Sequence, residues 1–444
     1  MIDFKTKKFG IISLGCDKNR VDIEKLLAII KANGCEITDD ASNAQVLVIN
    51  TCAFLNEARR EAIETVLEYS ALKGETLEKV VVTGCLPQKY VGETFDALTE
   101  ADVFLGTDDY DKFFEALEKS YSGERVNFVG AGSHGYNDGR LVTTPAHYAY
   151  LKISDGCNNH CTYCLIPKIR GKYASYPMDK LLREAEGLGD VAELIIVAQD
   201  VTRYGIDIYG QKKLVEILKN LTTLVNINSV RLLYCYPDMI DDELISEIRD
   251  NPKIIKYLDI PLQHSENRIL KLMNRPAVRK EYLALFNRLR KEIPDIAIRS
   301  TFIAGFPTET EEDVAGLVDF LKEARLDNCG FFAYSREPDT AAYKLKGQIP
   351  YSVKKKRVKK LYEVQKEISF KKLQSFVGRK IKVLCDGIDY EKNCFVGRAY
   401  FQAPDIDGKV YFNAYSAVQG EYTEVIIEGS DAYDLYGRTE DYGL

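Results

Sequence analysis

Three cysteines, Cys157, Cys161 and Cys164, fall within the stretch Asp155-Gly-Cys-Asn-Asn-His-Cys-Thr-Tyr-Cys-Leu-Ile-Pro-Lys-Ile-Arg-Gly171, spaced Cys-x-x-x-Cys-x-x-Cys. Thiolates are soft ligands, and three on one short loop can hold a metal centre. A [4Fe–4S] cluster is ordinarily held by four thiolates, so a three-cysteine loop leaves one iron open to another ligand. The competing chemistry is a zinc knuckle with His160 as the fourth tetrahedral ligand. Zinc sites draw on paired cysteines separated by a longer linker, whereas His160 directly precedes Cys161 and its ring would have to fold back over the loop. The cluster reading is therefore preferred. A disulfide framework is disfavoured, because eleven cysteines is an odd number and nothing routes the chain to an oxidising compartment.

The uneven spacing, with the aromatic Tyr163 just before the last cysteine, resembles the signature of the radical S-adenosylmethionine (SAM) enzymes. That resemblance implies that the open iron chelates the amino and carboxylate groups of SAM and that Tyr163 belongs to the cofactor site.

Three further cysteines have a common setting. Phe9 to Gly15, Gln45 to Asn50 and Lys79 to Thr83 read as buried strands, and Cys16, Cys52 and Cys85 each stand just beyond one. Helical segments follow, from Val21 to Asn33 and from about Asn56 to Leu72. Strands alternating with helices imply a parallel sheet, whose carboxyl ends lie along one edge where ligands bind. The three cysteines should converge there as a second thiolate cluster. A lone cysteine is usually a small buried hydrophobe, and Cys35, Cys235, Cys329, Cys385 and Cys394, which share no such placement, are given no role.

After a Gly-rich surface stretch, Gly130 to Gly139, strand-like runs recur: Tyr148 to Ser154, Glu193 to Ala198, Val230 to Tyr234, Ile255 to Ile260, Ala297 to Ile303 and Gly330 to Ala333. Amphipathic segments such as Asp179 to Leu188, Lys212 to Leu221, Glu281 to Glu292 and Glu311 to Ala324 separate them. Six β/α units make a partial barrel, with chemistry at the carboxyl ends of its strands. Gln199, Asp200, Gln263 and Arg299 are candidates for contacts to SAM or substrate. Pro237, Gly305 and Pro307 read as turn residues, and His264 as a packed histidine rather than a proton carrier.

With these pieces the chain resembles the radical-SAM methylthiotransferases from Lys8 to the C-terminus. The family implies three parts: an N-terminal α/β parallel-sheet domain, a central partial (β/α)6 radical-SAM barrel, and a small antiparallel β-barrel, called TRAM, that recognises substrate. We place them at 1–140, 141–350 and 376–444, with a basic linker helix at 351–375. The resemblance assigns a second [4Fe–4S] cluster to Cys16, Cys52 and Cys85, so that two clusters and SAM are the expected cofactors. It further implies that the central cluster cleaves SAM to a radical while the second carries the sulfur, with electrons from an external donor.

Two branches divide the family, the tRNA-modifying MiaB type and the ribosomal-protein-modifying RimO type. Ser13-Leu-Gly-Cys-Asp-Lys-Asn-Arg-Val-Asp22, Ala198 to Gly210, Pro261-Leu-Gln-His264 and Ala403 to Gly408 are similar to the RimO pattern. Asp17, Ile23, Asp155 and Pro338-Asp339 depart from it without removing a thiolate. RimO-type activity is methylthiolation of the β-carbon of an aspartate in the small-subunit ribosomal protein numbered twelve, free or within the ribosome.

Charge points the same way. Of the formal net charge of −7, residues 376–444 carry seven Lys/Arg against twelve Asp/Glu, and 351–375 carry nine against two. A tRNA-reading barrel should be basic, whereas an acidic one complements a basic protein. The acidic Asp405, Asp407, Glu421 and Glu424 are expected at that surface, and tRNA is disfavoured as partner. The run Lys354 to Lys360 is read as the solvated face of a helix whose apolar side carries Val358, Leu361, Val364 and Ile368, or as a contact with ribosomal RNA. The class-level competitor is a non-catalytic iron–sulfur or zinc protein that binds nucleic acid through its small barrel, which would need no SAM cavity. No apolar signal segment and no run of about eighteen apolar residues occurs, so the expected location is the cytoplasm, without membrane attachment.

Overall fold

The computed structural model describes residues 2–132 and 139–443, so part of the Gly-rich stretch, 133–138, lies outside the described residues. The chain forms two compact units. The first holds Met1–Thr143, Asp155–Asn158 and Leu165–Glu184; the second holds Thr144–Ser154, Asn159–Cys164 and Ala185–Leu444.

The first unit is built on a six-stranded, wholly parallel sheet in the order Glu36–Thr38, Lys8–Ser13, Val46–Thr51, Lys79–Gly84, Val103–Phe104, Val126–Asn127. Side chains alternate across a strand, and both faces are apolar because both are covered. Val46 and Val48 join one buried cluster with Leu26 and Ile30 of helix Asp17–Ala32 and Phe113 and Leu117 of helix Phe113–Tyr121. Leu47 and Ile49 join the other, with Ala62 and Val66 of helix Asn56–Ser70 and with Leu165 and Ile169. Truncating Ile49, which is fully buried, should cost about 2–5 kcal/mol. The strands at Glu36, Val103 and Val126 escape sequence reading because two or three residues are too few to show a period.

The second unit carries six parallel strands paired in chain order: Tyr148–Lys152, Glu193–Val197, Val230–Leu232, Ile254–Asp259, Ala297–Ala304 and Asn328–Ala333. On Ala297–Ala304, Ile298, Ser300 and Phe302 are buried while Arg299, Thr301 and Ile303 are half-buried. Phe302 packs edge-on against Phe320 of helix Glu311–Ala324 at 6.2 Å between centroids, so the odd-numbered residues line the inner face.

Helix Tyr351–Gln374 corrects the expectation for the basic run. Its buried stripe is Lys354, Arg357, Leu361, Gln365, Ser369 and Leu373, with Val358, Val364 and Ile368 only half-buried. The stripe is polar because it meets polar partners. Lys354 Nζ donates to the Tyr334 carbonyl at 2.8 Å, Arg357 pairs with Glu309 at 2.8 Å and Glu311 at 2.6 Å, and Gln365 donates to the Leu326 carbonyl at 3.0 Å. Lys355, Lys356, Lys359 and Lys360 remain exposed.

The strands Lys380–Asp389, Cys394–Arg398, Val410–Asn413, Leu435–Arg438 and Tyr422–Ser430 close into a barrel, antiparallel except where Val410–Asn413 meets Leu435–Arg438 in parallel. Buried charge joins it to the larger sheet. Arg398 pairs with Glu193 at 2.6 Å and with Asp386 at 2.9 Å, and Asp386 lies 2.8 Å from His147 Nε2. The side chain of Asp407, expected at the surface, is instead 1% exposed, accepts from Tyr257 Oη at 2.7 Å and lies 3.4 Å from Arg299 Nε. Burial raises its carboxyl despite Arg299. Among the described residues no helix is long and apolar enough to cross a membrane.

Candidate functional site

The strands ending at Ser13, Thr51 and Gly84 are sheet neighbours, so Cys16, Cys52 and Cys85 emerge side by side at the carboxyl edge, where strand order reverses. Two glycines make the approach possible. A Cβ on Gly84 (φ +96°) would sit 2.4 Å from the Thr51 carbonyl oxygen, and one on Gly15 (φ +111°) would sit 3.0 Å from the Cys52 Cβ. Beneath the cysteines, Asn19 Nδ2 donates to the Thr51 carbonyl at 3.1 Å, Asn50 Nδ2 to the Asn19 carbonyl at 2.9 Å and Thr51 Oγ1 to the Thr83 carbonyl at 2.6 Å. These bonds fix the three strand ends against one another.

Burial pushes the Cys52 thiol up to about 11, and the charges of Cys85 and Cys16 add to the rise. Burial also raises Cys16, partly offset by Lys18, although the residue as a whole stays accessible. The thiols thus lie within electrostatic reach, and ligation must expel protons from them. Among the described residues no three His, Cys, Asp or Glu side chains close around a single ion. A cubane spreads its ligands over a multi-atom core rather than around one ion, and three thiols at one sheet edge are donors of that type.

Arg170, which the sequence reading gave no role, is 2% exposed and pairs with Asp22 at 2.5 Å and Asp155 at 3.1 Å. Its other nitrogen, Nη2, donates to Asn19 Oδ1 and lies 3.5 Å from Cys85 Sγ. These carboxylates, with Cys85, outweigh burial and raise the guanidinium well above its usual value. Asp155 Oδ1 also accepts from Gly156 N at 2.8 Å, and Cys157 N donates to the Gly171 carbonyl at 3.3 Å. A Cβ on Gly156 would meet the Lys172 carbonyl at 2.2 Å, so only glycine fits before Cys157.

Cys157 belongs to the first unit, and Cys161 and Cys164 to the second. Cys161 is buried, with Tyr236 Oη 3.6 Å and Arg275 Nη1 3.8 Å from its sulfur. Arg275 also lies over the Tyr236 ring, 4.3 Å from its centroid. Thr162 fastens the loop through Oγ1 to the Leu272 carbonyl at 2.7 Å. Tyr163 packs with Met273, Phe306 and Tyr334; burial first, then the charge of Cys161, raises its phenol. His160, the alternative zinc ligand, is exposed, in the left-handed region at φ +49°, with its carbonyl taken by Asn274 Nδ2 at 3.1 Å.

Of the other candidates, Gln199 and Gln263 sit at or beyond strand ends. Gln263 (φ +71°) accepts from Ile303 N and donates its own N–H to the Thr301 carbonyl, both at 2.8 Å. Asp200 is fully buried, accepting from Asn159 Nδ2 and Arg203 Nε at 3.0 Å each, so it braces the cysteine loop. Arg299 is not gathered with them. It precedes the strand end at Ala304 by five residues, roughly 17 Å at 3.4 Å per residue, and pairs with Asp259 at 2.9 Å as well as with Asp407. His264 is fully buried, accepting from Glu266 N at 3.0 Å, with Glu309 3.4 Å away. Arg170 stands next to last in the cysteine stretch Asp155–Gly171, which was the available signal for it; Tyr236 follows the strand-like run Val230 to Tyr234, at the barrel's carboxyl edge, and Arg275 had no signal.

The chain matches the family described as Uncharacterized protein family UPF0004 over residues 8–106, the Radical SAM superfamily over 151–321 and the TRAM domain over 377–439. The radical SAM match implies SAM and a [4Fe–4S] cluster. Among solved structures, the radical S-adenosylmethionine methyltransferase TsrM from Kitasatospora setae, with cobalamin and a [4Fe–4S] cluster bound, has a TM-score of 0.57 at 14% identity, covering 76% of this chain and 77% of that one. That likeness shows the fold alone. Ribosomal protein uS12 methylthiotransferase RimO from Lachnoclostridium phytofermentans is 44% identical over 439 residues, 98% of this chain and all of the relative. The enzyme of the same name from a Thermoanaerobacter species is 44% identical over 97% of this chain and all of that relative. With such identity running the length of both chains, this protein belongs to the RimO family of radical SAM methylthiotransferases.

Proposed function

We propose that this enzyme adds a methylthio group to the β-carbon of an aspartate in ribosomal protein uS12. The observation that carries the reading is the full-length 44% identity to enzymes named for uS12. We assign the SAM-binding cluster to Cys157, Cys161 and Cys164 and a second cluster to Cys16, Cys52 and Cys85. Tyr163, Gln199 and Gln263 are assigned to the SAM site; Arg299 is withdrawn from it. The division of labour follows 1–140 for the second cluster, 141–350 for SAM, 351–375 as linker and 376–444 for substrate.

When bound, the central cluster supplies reductive cleavage of SAM to a radical that takes hydrogen from an unactivated carbon, given electrons from an external donor. The chain's part is to hold and shield. Arg275 and the Tyr236 hydroxyl beside Cys161 suit a buried thiolate, whose charge they offset, and the Tyr163–Phe306–Tyr334 packing keeps water from that side. The acidic C-terminal barrel supports a basic protein partner, with Asp405, Glu421, Glu424, Glu428, Asp431, Glu440 and Asp441 exposed. Asp407 is removed from that surface by its burial.

The exposed Lys355, Lys356, Lys359 and Lys360 favour the tRNA alternative or a ribosomal RNA contact. Anaerobically reconstituted enzyme, given SAM, a reductant and either uS12 or tRNA, tests the choice. Methylthiolated uS12 is expected; modified tRNA with unmodified uS12 would replace this reading with the MiaB-type one.

A further inference from the structure

Arg170 caps the short helix Ile166–Ile169, and its guanidinium is divided between two tasks. Nη1 is held by Asp22 and Asp155, while Nη2 faces Asn19 Oδ1 and Cys85 Sγ. Asn19 and Asp22 stand three residues apart on helix Asp17–Ala32 and so share a face; each grips one arm of the fork. The planar guanidinium therefore cannot swing away from the sulfur without breaking buried ion pairs.

The hydrogen-bond arithmetic at Cys85 changes on metal ligation. As a thiol, Cys85 has its own proton to donate to Asn19 Oδ1, 3.5 Å away. As a thiolate it has none, and the Arg170 Nη2–H becomes the donor, into sulfur, in a pocket where Arg170 is 2% and Asp22 5% exposed. Low solvent access strengthens such a charge-assisted bond. Hydrogen bonds to the sulfurs are among the factors that set cluster reduction potentials. A cation donating to a ligand sulfur stabilises the form that has gained an electron.

We propose that Arg170 is a positioning residue that sets the reduction potential of the cluster on Cys16, Cys52 and Cys85 by donating from Nη2 to Cys85 Sγ. The inference rests on the assignment of Cys85 as a cluster ligand. Through Asp155 the same side chain steadies the Gly156-Cys157 turn, so one guanidinium is tied to residues beside both cysteine sets.

The test uses the full-length chain with Cys157, Cys161 and Cys164 replaced by Ala, reconstituted with iron and sulfide so that one cluster remains. Its midpoint is measured by potentiometric titration followed by electron paramagnetic resonance, with Arg170, Arg170→Lys and Arg170→Gln. At equal iron content, Arg170→Gln should shift the midpoint to more negative potential, and Arg170→Lys, which keeps the charge and one donor, should recover part of the shift. In the protein retaining Arg170, deuterium exchange should remove a proton coupling to the cluster. An unchanged midpoint in Arg170→Gln, or no exchangeable coupling with Arg170 in place, would reduce Arg170 to a structural role and overturn the proposal. A background protein that binds no iron would instead overturn the assignment of Cys85, and the proposal with it.

Discussion

Replacing Arg398 with Ala removes the central cation of the network that seats the C-terminal barrel. Arg398 is 4% exposed and serves Glu193, 2% exposed, and Asp386, 23% exposed. Two unit charges about 4 Å apart attract by about 4 kcal/mol at the effective dielectric of a protein surface. The net effect of removing one partner from a buried pair is about 3–5 kcal/mol, because the other charge stays desolvated. Glu193 retains Arg231, and Asp386 retains His147, so the loss should fall at the lower end, about 3 kcal/mol. Urea denaturation followed by tyrosine fluorescence measures it, with Lys380→Ala as control: Lys380 bridges exposed Glu424 and Glu440 and should barely move the midpoint. A loss below about 1 kcal/mol for Arg398→Ala, the range of an exposed pair, would refute the reasoning. The pH dependence has a definite sign. Burial raises the Glu193 carboxyl, but Arg231 and Arg398 outweigh it and hold it below its usual value; Asp386 is likewise lowered, with His147 and Arg398 outweighing burial. Depressed carboxylates contribute stability that is present above their unfolded pKa values, near 4, and lost as pH falls through the native values. Wild type should therefore lose stability below about pH 4, and Arg398→Ala should lose less over the same interval.

Gly84→Ala combines a left-handed backbone with a Cβ 2.4 Å from the Thr51 oxygen and should cost roughly 2 kcal/mol or more, with reduced iron content after reconstitution; normal stability and iron would contradict the close approach at Cys85. Asp405→Lys with Glu421→Lys should weaken uS12 binding and make it less salt-sensitive in titrations at graded ionic strength, whereas Asp407→Lys should chiefly destabilise the fold in a thermal melt. Cys16→Ala, Cys52→Ala or Cys85→Ala should block methylthio transfer while chromatography still detects 5′-deoxyadenosine; loss of both in folded protein would argue against separable clusters.

The convergence of Cys16, Cys52 and Cys85 was legible because continuous apolar runs such as Val46 to Ile49 mark parallel strands buried on both faces, and each cysteine follows such a run. The six barrel strands were legible on the same ground. Arg299 was misplaced because strand sequence does not say at which height a polar residue meets its partner, and here the partner, Asp407, comes from another barrel. The polar stripe of helix Tyr351–Gln374 was hidden for a related reason: Lys354 and Arg357 are buried only because the Tyr334 carbonyl and Glu309 wait for them. Arg170 reaches Asp22 and Asn19 across 148 and 151 residues, a pairing that no local pattern encodes.

The central claim is that this enzyme methylthiolates uS12. Mass spectrometry of ribosomal proteins and tRNA from cells with and without it tests that most directly. A mass gain of one methylthio group on an aspartate of uS12 should disappear with the enzyme, while tRNA is the same in both. An unmodified uS12 in cells that contain the enzyme, with a methylthio group on tRNA that depends on it, would contradict the claim.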